Sequence, residues 1–153
     1  MTSPSAQLAA LGLELPPVAA PVAAYIPATR VGDHVWTSGQ LPSRDGKLLE
    51  TGIVGRDISP EVAAELAQVA ALNALAAAAD AAGGLDNIRR VVKVVVYVAS
   101  DPAFGSQPQV ANGASTLLSS VFGSSHVRSA VGVAALPLNA PVEVEIVVET
   151  VPA

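Results

Sequence analysis

Arg128 is the residue of this sequence whose type and setting best suit a chemical role. It begins the stretch from Arg128 to Pro137, in which β-branched residues alternate with smaller ones, and this pattern predicts a strand that the proline ends. Counting by twos, Ala130, Gly132 and Ala134 lie on the same face as Arg128. Small side chains leave open space beside the guanidinium, which binds carboxylates through two parallel hydrogen bonds. The pattern therefore indicates a site for a small carboxylate; the alternative is a surface arginine that solubilises the end of a strand.

The last strand carries the second group of candidate residues. In the segment 142–151, alternation places four aliphatic residues on one face, towards the helices: Val142, Val144, Ile146 and Val148. The other face carries three glutamates and two valines: Glu143, Glu145, Val147, Glu149 and Val151. We expect this face to lie beside the small-residue face of the Arg128 strand, so that Glu143 pairs with Arg128 beside a gap. A face of this mixed character indicates contact with another subunit, and the alternative is an exposed face with an ordinary ion pair.

The elements that position these residues follow from periodicity and from end signals. Strands are predicted over 31–38, 47–54, 91–99, 128–135 and 142–151, with a turn signal at 44–47 between the first two. Helices are predicted from Pro60, after the N-cap Ser59, to about Ala82 before Gly83-Gly84, and over 108–122 before Gly123. The valine-rich run 91–99 predicts a central strand buried on both sides, and the last two strands predict a hairpin.

This order, β-β-α-β-α-β-β, predicts an α+β domain with a mixed sheet and two helices packed on one face. Residues 25–153 are expected to form that single domain, preceded by an N-terminal arm over residues 1–24 with a short helix at 5–13. A chain of 153 residues is long enough for one core. That core must consist mainly of Ala, Val and Leu, because only 3% of the residues are aromatic.

Composition argues against several classes of function. The net charge of −5 and the scattered basic residues disfavour binding to nucleic acid or to an anionic membrane. The chain has no cysteine, and His34 and His126 lack partners at zinc-binding spacing, so no disulfide, thiol nucleophile or metal site is expected. Both histidines are interpreted as loop or surface residues. Without a basic n-region or a sufficiently apolar span, the sequence predicts a cytoplasmic protein.

Four motifs occur along the chain in a familiar order. They are the segments 37–42 (Thr-Ser-Gly-Gln-Leu-Pro), 128–133 (Arg-Ser-Ala-Val-Gly-Val), 136–137 (Leu-Pro) and 142–145 (Val-Glu-Val-Glu). On these motifs the chain resembles the RidA (YjgF-like) family over residues 25–149. The resemblance implies a chorismate-mutase-like fold and a homotrimer with three clefts between its subunits. The extra N-terminal residues indicate a divergent branch. Some members have cysteine where this chain has Ala130, a departure of little consequence because water rather than a thiol is the nucleophile in the family.

The resemblance also implies a reaction and a set of residues. Characterised members hydrolyse reactive enamines and imines, such as 2-iminobutanoate, to the 2-keto acid and ammonia, and they need no metal or organic cofactor. In them an arginine holds the substrate carboxylate and a glutamate positions or activates water; Arg128 and Glu143 match these residues. Four further residues match positions that line the cleft or lie near the ligand: Tyr25, Ser38, Gly39 and Asn112.

Two other functions stay open at this point. A non-catalytic ligand-binding or regulatory trimer would use the same Arg128 cleft to sense a small carboxylate. Ribonuclease activity, a label often attached to the family, is disfavoured by the acidic charge balance and by the lack of a basic stripe. Binding of 2-ketobutyrate without turnover of imines would favour the sensor.

Overall fold

A computed structural model describes residues 2–21 and 23–153 of the chain. Over these residues the helices are α1 (Pro4–Ala10), α2 (Pro60–Ala82) and α3 (Gln107–Phe122). The strands are β1 (Ala28–Val31), β2 (His34–Thr37), β3 (Ser43–Arg44), β4 (Lys47–Leu48), β5 (Ile88–Ala99), β6 (Val127–Val133) and β7 (Val142–Thr150). Short 3-10 turns, Leu85–Asn87 and Pro137–Asn139, precede β5 and β7.

Five of the strands form one mixed sheet in the order β1-β2-β7-β5-β6. Strands β5 and β6 run parallel, and the other neighbouring pairs are antiparallel. Helices α2 and α3 pack against each other and against one face of the sheet, and the core between them consists mainly of Ala, Val and Leu. The predicted α+β fold, a mixed sheet with helices on one face, is confirmed.

Helix α2 begins and ends at the residues that the sequence predicts. The hydroxyl of Ser59 accepts a hydrogen bond from the amide of Val62, Pro60 occupies the first turn, and Gly83 ends the helix at a φ of 83°. By length and composition this helix is apolar enough to cross a membrane, but 67% of its apolar window is buried inside the protein. Helix α2 is therefore the core helix of the fold.

Helices α2 and α3 approach each other closely at Gly113. A Cβ atom at this position would overlap with the backbone carbonyl of Ala64 on α2. Because that backbone cannot swing away as a side chain can, we expect Gly113→Ala to lower the free energy of unfolding by about 3 kcal/mol. Gly105→Ala is the matched control, since no atom lies within 4 Å of a Cβ built there. Denaturant titration compares the two variants, and equal stabilities would contradict the close approach.

The strands of the first predicted hairpin are wrong in their bounds and in their pairing. Instead of one strand over 31–38, β1 and β2 form an antiparallel hairpin. Its turn lies at Gly32-Asp33, where Gly32 has a φ of 61°, a conformation that glycine adopts without strain. The predicted returning strand over 47–54 is reduced to β4, which pairs with β3 in a separate two-stranded ladder. The Asp45-Gly46 turn between β3 and β4 lies where the sequence predicts it.

The predicted hairpin of the last two strands is also wrong, because β5 lies between them. After the crossover through α3, β6 pairs in parallel with β5, and β7 pairs with the other edge of β5. The connection between β6 and β7 spans this extra strand and turns through Leu138 and Asn139, both at positive φ. The prediction that 91–99 is buried on both sides is wrong as well: in this chain the face towards the helices is buried, and the other face is partly exposed.

The N-terminal segment packs against the rest of the chain. Ser5 donates hydrogen bonds from its amide and its hydroxyl to the carboxylate of Asp86, at 2.8 and 2.7 Å. Leu8 of α1 is buried in the core. Residues 16–21 then lie along a cavity next to the start of β7. A domain boundary at residue 25 stays a prediction.

Candidate active site

Arg128 lies on the face of β6 that is turned towards α3. Its Nη1 group donates hydrogen bonds to Oδ1 of Asn112 at 2.7 Å and to Oγ of Ser115 at 3.2 Å. Within residues 2–21 and 23–153, its Nε and Nη2 groups have no hydrogen-bond partner, and no carboxylate pairs with its charge. Helix α3 therefore fixes one end of the guanidinium and leaves the edge with two parallel donors free. That edge has the geometry that binds a carboxylate.

The row of small residues after Arg128 does not leave the open space that the sequence predicts. Ala130 packs against the core. A Cβ atom on Gly132 would come within 2.8 Å of the side chains of Gln107 and Ser100. The first turn of α3 and the end of β5 thus occupy the space beside these positions, because a face that carries small side chains lets a helix approach closely.

Ser115 and His126 belong to the hydrogen-bond network around Arg128, and the sequence did not predict either contact. Oγ of Ser115 bonds both Arg128 and Nε2 of His126, the latter at 2.9 Å. Burial, and then the charge of Arg128, lowers the pKa of His126, which keeps the imidazole neutral near pH 7. His126 lies in the loop between α3 and β6, as the sequence predicts, but its part-buried ring belongs to this network. Spacing offered part of the signal: Asn112 and Ser115 are one turn apart on α3, and His126 lies just before β6, two residues before Arg128.

A separate cavity of about 400 Å³ brings together Tyr25, Gly39 and Glu143. Residues 16–21 line it, as do residues of the β3–β4 hairpin. Ser38 lies beside this group, where its hydroxyl accepts a hydrogen bond from Nε2 of Gln40 at 3.2 Å, but it is not part of the lining. Three of the predicted site residues therefore share one cavity, while Arg128 and Asn112 lie elsewhere.

The carboxylate of Glu143 packs directly against Gly39, where a Cβ atom would overlap with Oε1. Burial, and then the charge of Glu145, raises the pKa of Glu143. Glu145 accepts a hydrogen bond from the hydroxyl of Tyr97, and this bond is the main cause that raises the pKa of Tyr97 to about 12. Glu143 is thus a half-buried carboxyl that exchanges its proton closer to neutral pH than an exposed glutamate does.

Gly39 is required here for the space that it leaves to Glu143. We expect Gly39→Ala to displace the Glu143 side chain and to lower the free energy of unfolding by about 1 kcal/mol, because a flexible side chain can move away. Any activity that depends on Glu143 should fall far more than this change in stability explains. Gly105→Ala again serves as the control. A crystal structure of Gly39→Ala with the Glu143 carboxyl unmoved would contradict this role.

Glu143 and Arg128 are not neighbours in one chain, so the expected cross-strand pair is wrong. Strand β5 separates β7 from β6, and the register places Glu143 opposite Tyr97 and Arg128 opposite Val94. The two side chains point to opposite faces of the sheet, and their Cα atoms lie roughly 14 Å apart by strand spacing and rise. A small molecule bound to one chain cannot contact both residues. The predicted site is therefore divided into two halves.

The sheet face that carries Glu143 is open and partly apolar. Five exposed aliphatic or aromatic residues follow the alternation that places them on this face: Val31, Trp36, Val127, Val131 and Val151. Trp36 is 52% exposed and Val127 65% exposed. Apolar side chains on one continuous sheet face are typical of a surface that another protein covers.

Comparison with known proteins agrees with this architecture. The sequence model of the family described as "YjgF/chorismate_mutase-like, putative endoribonuclease" matches residues 5–150. The chain is 43% identical over 148 residues to Protein TCP17 of Trypanosoma cruzi, which covers 95% of this chain and 92% of TCP17. The match therefore spans nearly the whole of both proteins.

Two solved structures support the same family, one at higher and one at lower similarity to this chain. Atu1372 from Agrobacterium tumefaciens superposes with a TM-score of 0.88 at 43% identity, over 97% of this chain and 94% of Atu1372. RidA from the Antarctic bacterium Psychrobacter sp. PAMC 21119 superposes with a TM-score of 0.61 at 29% identity, over 88% of this chain and 94% of RidA. The chain is therefore more similar to Atu1372 than to this RidA. With its mixed sheet and packed helices, the chain belongs to the YjgF (RidA) family and has its chorismate-mutase-like fold.

Proposed function

We propose that this chain is a cofactor-free, cytoplasmic hydrolase that converts small reactive 2-imino and enamine acids, of the 2-iminobutanoate type, to 2-keto acids and ammonia. The observation that carries the proposal is the guanidinium of Arg128, held by Asn112 and Ser115 at one end and free of partners among the described residues at its two-donor edge. One of the similar structures is that of a RidA, and the resemblance to the RidA family implies this reaction.

Arg128 is proposed to bind the substrate carboxylate. The two hydrogen bonds to α3 fix the plane of the guanidinium before the substrate arrives. A bidentate contact to this plane also fixes the direction in which the adjacent C2 atom of the substrate points, so that binding becomes orientation for attack. Asn112 acts here as a positioning residue, since its carbonyl oxygen already accepts from Arg128.

Glu143 is proposed to move the proton. Water forms a bond to C2 of the protonated imine while Glu143 accepts one proton from it, which gives a carbinolamine. Glu143 then returns that proton to the nitrogen. The C–N bond breaks with its electron pair going to nitrogen, the hydroxyl oxygen forms the C=O bond, and the hydroxyl proton passes to the released ammonia. The products are the 2-keto acid and ammonium. A carboxyl that is a base in one step and an acid in the next works best with a pKa near the operating pH, and the raised pKa of Glu143 supports this role.

The two half-sites are proposed to meet in a homotrimer. Since Arg128 and Glu143 lie on opposite faces of one sheet, a head-to-tail ring would let Arg128 of one copy meet the cavity of the next. The apolar side chains on the open face of the sheet, Trp36 and Val127 among them, support burial between copies. Tyr25 and Gly39 would then come from the same copy as Glu143, because they line its cavity.

The assay is direct. We generate 2-iminobutanoate in solution and follow its decay against the spontaneous rate. The proposal expects decay to accelerate in proportion to protein, with 2-ketobutyrate and ammonium released in equal amounts. If the protein leaves the decay rate unchanged at every concentration, the enzymatic proposal is wrong.

A non-catalytic sensor for a small carboxylate is the second candidate function. It needs only the Arg128 half of the site, and that half is preformed in the single chain without any contribution from Glu143. Calorimetry with 2-ketobutyrate, together with the decay assay, separates the two functions. Binding that Arg128→Ala removes, with no acceleration of imine decay, would favour the sensor.

Endoribonuclease activity, which the name of the family suggests, does not fit the charge of this chain. The net charge of −5 opposes contact with a polyanion, and the exposed ion pairs Arg56–Asp57 and Arg90–Glu149 compensate two of its few cations. We expect no RNA binding even at low salt, measured by a mobility-shift titration.

A further inference from the structure

We infer that the part of the cavity lined by the N-terminal segment is a side-chain subsite, and that the preferred substrates are 2-imino acids with bulky apolar side chains. The inference deepens the proposed function and rests on it. It concerns the part of the cavity lining beyond Glu143, and this part has no role in the proposed reaction.

The size of the cavity is the first reason. A volume of about 400 Å³ is within the range of sites that enclose ligands far larger than 2-iminobutanoate, which has only two carbons beyond its reacting C2 atom. A side chain of two carbons would leave most of the space beside Glu143 empty or filled with water. A branched aliphatic or aromatic side chain would fill it.

The chemistry of the walls is the second reason. Residues 16–21 contribute three prolines, two alanines and Val18, and the opposite wall contributes Leu41, Leu48 and Leu138. Asn73 also lines the cavity, but its Nδ2 group already donates to the carbonyls of Leu41 and Ser43, both at 2.9 Å, so it serves to hold that wall to α2. Apolar walls stabilise an apolar substituent by removing it from water.

The charged residues of the cavity do not favour a charged side chain. Arg44 and Asp45 are exposed neighbours in the turn of the β3–β4 hairpin, with charges of opposite sign. Glu143 carries the remaining charge and is assigned to the reaction. The lining therefore offers no unbalanced charge for recognition of an acidic or basic side chain.

The third reason is that the chain leading into the apolar wall is fixed to the fold. The segment that carries Val18 follows α1, which is held by the bonds of Ser5 to Asp86 and by burial of Leu8. Leu13 and Leu15, just before the wall, also pack against the core. An anchored segment directly before the wall limits how far the wall can move when a poor substrate binds.

The test compares 2-imino acids that an amino acid oxidase generates from L-leucine, L-phenylalanine and L-2-aminobutyrate. We expect kcat/KM for the two bulky imines to exceed that for the small one by on the order of 10-fold to 200-fold. Val18→Asp places a charge in the apolar wall and should lower the bulky values about 10-fold while changing the small one less than about twofold. Leu11→Asp is the matched control, since Leu11 is an exposed residue of the same segment that does not line the cavity.

The outcomes separate the subsite from the proposed function. Equal values for the three imines, or an equal effect of Val18→Asp on all of them, would overturn the subsite and leave the hydrolase intact. If no imine is turned over, the hydrolase fails, and calorimetry with 4-methyl-2-oxopentanoate and 2-oxobutanoate decides the subsite alone. Tighter binding of the larger acid that Val18→Asp removes would support it, and equal binding would overturn it.

Discussion

Replacing Arg128 with alanine is expected to lower kcat/KM for imine hydrolysis by on the order of 1,000-fold, about 4 kcal/mol of transition-state stabilisation. The substitution removes both donors of the free edge and with them the contact that orients the substrate. It should leave the fold intact, because the guanidinium is only partly buried and its two bonds go to polar groups of Asn112 and Ser115 that water can satisfy. The measurement is steady-state kinetics on wild type and variant, with circular dichroism to compare their folds.

Two further variants test whether the loss of activity is specific to the guanidinium of Arg128. Arg128→Lys keeps the charge but lacks the planar fork, so we expect it to restore only a small part of the activity. Arg56→Ala removes a different arginine, whose exposed pair with Asp57 lies away from the sheet and is worth little, and should leave the activity near that of wild type. Wild-type rates in Arg128→Ala would show that no arginine clamp operates.

Glu143→Gln is expected to lower kcat by a factor of about 100 to 10,000, because the amide is nearly isosteric with the carboxyl but cannot accept and return a proton. KM should change little, since the substrate carboxylate is bound by Arg128. Glu61→Gln, at an exposed residue in the first turn of α2 and outside the cavity, is the control. A variant that kept wild-type kcat would remove Glu143 from the reaction.

The same variant makes a prediction about stability and pH. The pKa of Glu143 is raised in the folded chain above its ordinary value of 4.5, so the folded state binds this proton more tightly than the unfolded state does. Its contribution to stability is complete below pH 4.5 and is lost as the pH rises through the folded pKa. We therefore expect Glu143→Gln to raise Tm relative to wild type at pH 8 but not at pH 4. Equal differences at both pH values would contradict the raised pKa.

The sequence was sufficient to predict elements that carry their own end signals. Helix α2 has a serine cap, a proline in its first turn and a glycine just after its last residue, and all three act as predicted. Helix α3 similarly ends at Gly123 in the left-handed conformation. Local rules succeed here because each of these interactions joins residues that are close in the sequence.

Strand pairing is not local, and there the sequence was misleading. The predicted alternation holds over β6 as far as Val133 and over β7 as far as Thr150. Alternation does not say which strand lies next to which, and β5 separates these two. The short turn at Gly32-Asp33 was missed because the residues around it continue the β-branched pattern on both sides. The error in pairing produced the error in the site, since it brought Glu143 to Arg128 within one chain.

In the candidate site, too, the sequence predicts individual residues better than contacts between distant segments. Arg128, Gly39 and Glu143 lie in the motifs and Tyr25 was named by resemblance; the structure places Arg128 apart from the cavity that the other three residues line. The contacts of Arg128 with α3 join residues 13 and 16 positions apart, through a helix that no strand periodicity describes. Asn112 was named by resemblance, but the bond that Arg128 donates to Ser115 depends on the placement of α3 over β6.

The central claim is that Arg128 of one copy acts with Glu143 of another, and mixing subunits tests it most directly. Arg128→Ala and Glu143→Gln chains, each nearly inactive alone, are unfolded together in equal amounts and refolded into mixed assemblies. Because each cleft of a head-to-tail trimer takes its arginine and its glutamate from different chains, about one cleft in four should regain both residues. We predict recovery of about a quarter of the wild-type activity after mixing; a mixture that stays as inactive as the separate variants would contradict the shared site.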